Sequence, residues 1–301
     1  MFVERWEKSR WRKDSIYLQK YHDLVVPKHR QELEKGKIKS SITTIKEEIL
    51  EQPINISKFK FTCDDADSSI PKPLPQQGGF AFLIIGKPRS GKTNLLLNLT
   101  TKAHKNFNRK FDRVFLFSPS VNTMENDPFE LLPDDQKFEV ATHENLTSML
   151  DMIKDTGDKV LLILDDCISD IRGKGKSDIE NLLHRIFFNR RHLAGKGGSL
   201  SIIATSQTYN KIDPKLRKTA SHLALFENKN KKELDSIFEE AILIPKREFF
   251  DVLRYIYDRK YRFMYIDTTL PDYKMIHKDF NQLSISSPNI LGDNYFANAE
   301  V

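Results

Sequence analysis

From residue 80 onward the chain alternates between two kinds of segment. Runs of continuous apolar character, "FAFLIIG", "DRVFLFSP", "KVLLILDD" and "LSIIATSQ", are separated by longer stretches with helical spacing, "TNLLLNLTTKAHKNF", "HENLTSMLDMIKD" and "DIENLLHRIFFNRRHL". A strand that is apolar at consecutive positions is buried on both faces, and strands that alternate with helices build a parallel sheet covered on both sides. "ASHLALFE" and "YRFMYIDTT" predict two further strands, the last joining the same sheet, with amphipathic helices at about 231–241 and 245–259 between them. The pattern therefore predicts an α/β fold with a mostly parallel central sheet flanked by helices.

The flanks read differently. Residues 1–62 are highly charged, and Trp6, Trp11, Ile16 and Leu18 follow a loosely helical spacing. "SITTIKEEIL" opens with Ser and Thr and carries Glu47 and Glu48 early, as helix N-termini prefer. This predicts a helical N-terminal appendage. Residues 63–79, with Pro71, Pro73, Pro75, Gly78 and Gly79, read as a linker or exposed loop. The main domain is expected over 80–270. Residues 271–301, polar and rich in Asn and Ser toward the end, read as a loose C-terminal tail.

The first apolar run enters Gly86-Lys87-Pro88-Arg89-Ser90-Gly91-Lys92-Thr93, and a leucine-rich segment follows. Two glycines at this spacing, closed by Lys-Thr between a strand and a helix, form the P-loop pattern. Its backbone N–H groups cradle phosphates, Lys92 reaches the β- and γ-phosphates, and Thr93 gives its hydroxyl to Mg²⁺. The helix that follows points its positive end at the same phosphates. "Val160-Leu161-Leu162-Ile163-Leu164-Asp165-Asp166" supplies the second element of such a site, an apolar strand ending in carboxylate. Asp165 is expected to support Mg²⁺, and Asp166 to orient or deprotonate water. A third strand ends in Thr205, Ser206 and Gln207, and Gln207 is the candidate for sensing the γ-phosphate.

Composition narrows this only a little. The formal net charge of +6 on 301 residues favours a polyanionic partner slightly. The two cysteines, Cys63 and Cys167, are far apart and form no CxxC pair, which removes a zinc signature; Cys167 reads as a buried structural thiol. Few cysteines and no secretory h-region suggest a reducing intracellular setting, and no apolar run approaches the ~20 residues of a membrane span. Asn228-Lys229-Asn230-Lys231 lacks the aspartate of a guanine-reading motif, and no LSGGQ-type signature occurs. Three classes remain open: an ATP-hydrolysing motor, a nucleotide-dependent switch or scaffold for a protein partner, and a small-molecule kinase.

"GKPRSGKT", "LLILDD", "NRRHLAGKGGSLSIIATSQTYNKIDPKLRKTASHLALF" and "YRFMYID" together resemble the genome-packaging ATPases of large DNA viruses and virophages, within the HerA/FtsK group of DNA translocases. The resemblance covers residues 78 to about 270. The chain has Asp165-Asp166 where relatives often carry Asp-Glu, so the base is the shorter acid. What the resemblance implies is an ATP- and Mg²⁺-dependent ring homo-oligomer that drives double-stranded DNA into a capsid. It would meet capsid or portal-vertex proteins and work in the host cytoplasm or viral factory, or on the virion. An arginine from a neighbouring subunit would stabilise the transition state, with Arg190, Arg191 and Arg217 as candidates. Lys174, Lys176 and Lys196, on short glycine-bearing basic loops expected to be flexible, would touch DNA phosphates. The aromatic-basic N-terminus, with Trp6, Trp11 and Arg12, reads first as a packing helix. His184 and His192 are not spaced as a metal pair, and no accompanying carboxylate cluster is expected.

Overall fold

The computed structural model describes residues 65–100, 106–120, 129–168, 177–242, 244–272 and 274–285. All of them belong to one compact unit, Phe59–Val301. The predicted N-terminal appendage lies outside the described residues.

Nine strands form one sheet among these residues: β1 (Ala81–Ile85), β2 (Arg113–Phe117), β3 (Lys137–Phe138), β4 (Lys159–Leu164), β5 (Ser199–Ser206), β6 (His222–Phe226), β7 (Phe263–Asp267), β8 (Ile276–Lys278) and β9 (Asn281–Gln282). Their spatial order is β3-β2-β4-β5-β1-β6-β7-β8-β9. Pairing is parallel from β3 through β6 and antiparallel from β6 to β9. The continuous apolar runs are thus parallel strands buried on both faces, as the pattern predicts, and β7 joins the sheet as expected.

Six α-helices are described: α1 (Lys92–Thr100), α2 (His143–Ile153), α3 (Ser177–Asn189), α4 (Pro214–Lys218), α5 (Lys231–Ala241) and α6 (Lys246–Ile256). Side chains along a strand alternate between faces, and the two cores follow that period. On one face Leu83, Phe115, Leu162 and Ile202 pack with α2, α3, α5 and α6 through residues such as Met149, Ile186, Ile237 and Phe249. On the other, Phe82, Ile84, Leu161 and Ile203 pack with Leu95, Leu96 and Leu99 of α1. Local chemistry sets several helix starts. Thr142 caps α2 through Asn145 N–H at 3.1 Å, and Asp213 caps α4 through Lys215 N–H at 2.7 Å, with Pro214 in the first turn.

Two sequence expectations change. The segment read as a linker is part of the domain: Ile70 and Leu74 are buried in the α1-side core, and Ala66 bridges Gln77. Tyr265 donates its hydroxyl to Pro73 C=O at 2.7 Å, tying the segment to β7. Prolines and glycines mark irregular backbone here, but two apolar side chains suffice to anchor it. The tail is corrected too. The sheet continues past residue 270, because β8 buries Ile276 and His277 against β7. The last residues, 286–301, lie outside the described residues.

Candidate nucleotide site

β1, β4 and β5 lie side by side, and their C-terminal ends deliver the site. The register puts Ile85 of β1 opposite Ser206 and Leu164 of β4 opposite Ala204. The P-loop leaves β1, with Gly86 N–H donating to Ser206 C=O at 3.1 Å. A Cβ on Gly86 would stand 2.5 Å from Ser90 Oγ and 2.7 Å from Phe226 Cβ, so only glycine fits that approach. Gly91 has φ +108°, a conformation that side chains rarely adopt. Lys92 opens α1 and is buried. Thr93, the next residue, is exposed. Ser90 Oγ is buried without a hydrogen-bond partner. A cradle of backbone N–H groups with an orphaned hydroxyl fits a phosphate chain.

The carboxylates sit across from this loop. Asp165 is almost wholly buried, accepting from Ser118 Oγ at 3.0 Å and Thr205 Oγ1 at 2.7 Å. Asp166 has a left-handed backbone, φ +49°, which turns the chain away from β4. Its N–H donates to Thr205 Oγ1 at 2.8 Å. Its carboxylate lies 3.8 Å from Lys92 Nζ and accepts from Gln207 Nε2 at 3.4 Å. Lys92, Asp165, Asp166 and Gln207 therefore meet at one place. The exposed Thr93 hydroxyl and the Asp165 carboxylate are hard oxygens, the donor type that Mg²⁺ takes.

Sequence reading missed Ser118 and singled out Gln207 over Thr205 as the tip of β5. Thr205 is completely buried and holds both aspartates at once. A serine ending β2 and a threonine ending β5 are the signal, visible only once β2, β4 and β5 are known to be neighbours. Cys167 is a buried thiol on Phe117 C=O and Asp165 C=O, the structural role expected of it.

The arginine candidates are dispersed. Arg190 donates through Nε to Gly79 C=O at 2.6 Å, and burial lowers its pKa, with Arg191 adding repulsion. Arg191 is exposed and packs on Gly79, leaving no room there for a Cβ. Both thus stand at the N-terminal end of β1, roughly 15 Å of strand from the P-loop. They line a cavity of about 610 Å³ with His222 and Asp267. Arg217 is buried and held within its own chain. It pairs with Glu240 at 2.9 Å, lies over the Tyr209 ring at 4.5 Å, and donates to Asn210 Oδ1 at 2.9 Å. That clamp holds Arg217 within its own chain and out of solvent.

Lys196 is exposed, on the loop before β5 at the sheet end away from the P-loop. The loop packs on the turn before β4: Gly157 N–H donates to Ala194 C=O at 2.7 Å, and Gly195 abuts Asp155, where a Cβ would stand 2.7 Å from its Cα. Lys174 and Lys176 lie outside the described residues. His184 is not isolated from carboxylates as expected. Glu180 lies one turn earlier and Asp213, the N-cap of α4, faces it, with ligand atoms all within 4.8 Å. His184 Nε2 stands 3.2 Å from Asp213 Oδ1, so the trio links α3 to α4.

A P-loop on the strand between β5 and β6, with a double aspartate on β4 and a polar tip on β5, defines a nucleoside-triphosphate hydrolase of the P-loop class. Residues 74–271 match the Poxvirus A32 protein family, and the chain belongs to that family. Membership bears out the resemblance read from the motifs: this is an ATPase of the genome-packaging class. Among solved structures, the chain is similar to B204, the DNA-packaging ATPase of Sulfolobus turreted icosahedral virus, at 17% identity over 68% of this chain and 98% of that one, with a TM-score of 0.48. The genome-packaging NTPase B204 of Sulfolobus turreted icosahedral virus 2, in complex with ATP-gammaS, gives 18% identity, 68% and 98% coverage and a TM-score of 0.44. The conjugation coupling protein TcpA of pCW3 gives 10% identity, 69% and 60% coverage and a TM-score of 0.41. No curated protein sequence matches the chain significantly. No helix among the described residues is long and apolar enough to cross a membrane.

Proposed function

We propose that copies of this chain form a ring in which Mg²⁺-dependent ATP hydrolysis drives double-stranded DNA into a capsid. The observation that supports this most directly is the meeting of Lys92, Asp165, Asp166 and Thr205 beside the P-loop. The P-loop N–H groups and Lys92 bind the triphosphate. Thr93 and Asp165 would hold Mg²⁺, which when bound neutralises charge on the phosphate oxygens. Asp166 accepts the proton of a water whose oxygen attacks the γ-phosphorus, while the bond to the β–γ bridging oxygen breaks and ADP leaves. The contact between Lys92 and Asp166 at 3.8 Å holds this base in check until phosphate takes the lysine. Gln207, hydrogen-bonded to the same carboxylate, orients the water.

A finger supplied by a neighbour must be exposed. Arg191 meets that condition, whereas Arg217 is committed to Glu240. Lys196, with Lys174 and Lys176, would contact DNA phosphates without reading sequence. Capsid or portal-vertex proteins are the partners expected at the site of assembly, in the host cytoplasm or viral factory.

Steady-state ATP hydrolysis, measured with and without long double-stranded DNA at low and moderate salt, tests this reading beside Lys92→Ala. DNA should stimulate turnover, and stimulation should weaken as salt rises, because phosphate contacts release counterions. Lys92→Ala should abolish hydrolysis. Turnover indifferent to DNA in an oligomeric sample would sink the motor; normal turnover by the lysine variant would reject the site.

A further inference from the structure

The catalytic groups occupy one side of the P-loop. Asp165, Asp166 and Thr205 come from β4 and β5, so the γ-phosphate points that way. A triphosphate laid along the loop then carries its nucleoside to the other side, toward β6 and β7, which flank β1 in the opposite direction. A cavity of about 600 Å³ opens there, lined by Arg89, Thr93, Asn94, Phe226, Tyr261 and Phe263 among others. That volume lies in the usual range for small-ligand sites. Phe226 and Phe263 are buried, with ring centroids 5.5 Å apart, and give the cavity an apolar floor.

Tyr261 differs from them. It is 68% exposed, an unusual state for a large aromatic ring that touches a functional loop. Its Cδ1 would lie 3.5 Å from a Cβ placed on Gly91, so the ring borders the P-loop itself. Its backbone is left-handed, φ +68°, a region that aromatic residues seldom occupy. Strain of this kind collects at ligand clamps, where a particular side-chain direction is needed. Here it carries an aromatic face to the mouth of a cavity that begins at the phosphate cradle.

We propose that Tyr261 is the stacking platform for the base of the bound nucleotide. This rests on the P-loop reading above and adds the group that recognises the base. Base–aromatic stacking needs an exposed π-face and tolerates either purine, while a pyrimidine covers less of the ring. The carboxamides of Asn94 and Asn98 lie on the α1 wall, within the same cavity, where the polar edge of a base would meet them.

The test is calorimetric binding of ATP, UTP and inorganic tripolyphosphate, each with Mg²⁺, to the full chain and to Tyr261→Asn and Tyr261→Phe. Asparagine suits the left-handed backbone, so Tyr261→Asn removes the ring without adding strain. The wild type should bind ATP more tightly than UTP. In Tyr261→Asn, ATP affinity should fall about ten- to hundredfold while tripolyphosphate affinity stays unchanged. The urea midpoint should hold or rise, as relief of strain predicts. Tyr261→Phe should restore ATP affinity. Unchanged ATP affinity in Tyr261→Asn overturns the proposal. So does an equal loss for ATP and tripolyphosphate, which would make Tyr261 a prop for the loop. If tripolyphosphate fails to bind even the wild type, the P-loop reading fails first; Lys92→Ala, losing tripolyphosphate, keeps the two failures apart.

Discussion

Replacing Thr205 by Val keeps the side-chain shape at the end of β5 and deletes one oxygen. That oxygen donates to Asp165 Oδ1 at 2.7 Å and accepts from Asp166 N–H at 2.8 Å, at a position with no solvent access. A hydrogen bond to a charged group contributes about 1.5–3 kcal/mol, and a neutral one about 0.5–1.5 kcal/mol. Water cannot take their place in so enclosed a site, so the expected loss is about 2–4 kcal/mol. That is a large share of the 5–15 kcal/mol typical of a folded domain. Both aspartates lose their common anchor, so turnover should fall at least tenfold under native conditions. Thr205→Ser keeps the hydroxyl and should recover most of both. The assay is urea unfolding at constant m-value, paired with ATP turnover in the absence of denaturant. A valine variant with wild-type midpoint and wild-type turnover would refute the view that Thr205 organises the carboxylates.

Two further outcomes follow from buried charge. Arg217→Met strands Glu240 beside Tyr209 and should cost about 3 kcal/mol in urea unfolding; a variant of unchanged stability but lost turnover would return Arg217 to the role of a finger. His222 is held neutral because burial lowers its pKa to about 4, against the pull of Asp267 and with a small push from Arg190. The unfolded chain binds that proton near pH 6.5, so the stability is complete above pH 6.5 and is lost as pH falls toward 4. Unfolding midpoints measured across that window should drop for the wild type and drop less for His222→Gln; parallel pH profiles would rule His222 out.

The parts of the fold legible in the sequence are those with dense local signals. Every residue of β1 and β5 is buried; the unbroken apolar run of β1 and the Leu-Ile-Ile-Ala content of β5 announce it. The P-loop and the aspartate pair are equally plain, because phosphate chemistry fixes both residue type and spacing. What stayed hidden depends on partners distant in sequence. Ser118 reaches Asp165 across 47 positions, and nothing around Ser118 distinguishes it from a strand-end serine. The ion pair of Arg217 was not legible because Glu240, its partner, lies on a different helix. β8 and β9 are three and two residues long, too short to carry a period. Tyr261 sits in a turn whose sequence, "DRKYRF", gives no hint of left-handed backbone.

The packing of Ile70 and Leu74 bears on how the chain can be dissected. Composition suggests cutting at Gly78, just ahead of β1. A piece starting there would lose two side chains from the core beneath α1 and the Pro73 carbonyl that satisfies Tyr265. Each buried aliphatic side chain contributes about 1.5–3 kcal/mol, so the cut forfeits about 3–6 kcal/mol before any backbone effect. A catalytic fragment must therefore keep Ile70, Pro73 and Leu74. Tags or protease sites placed between Ile70 and β1 would open the core beneath α1.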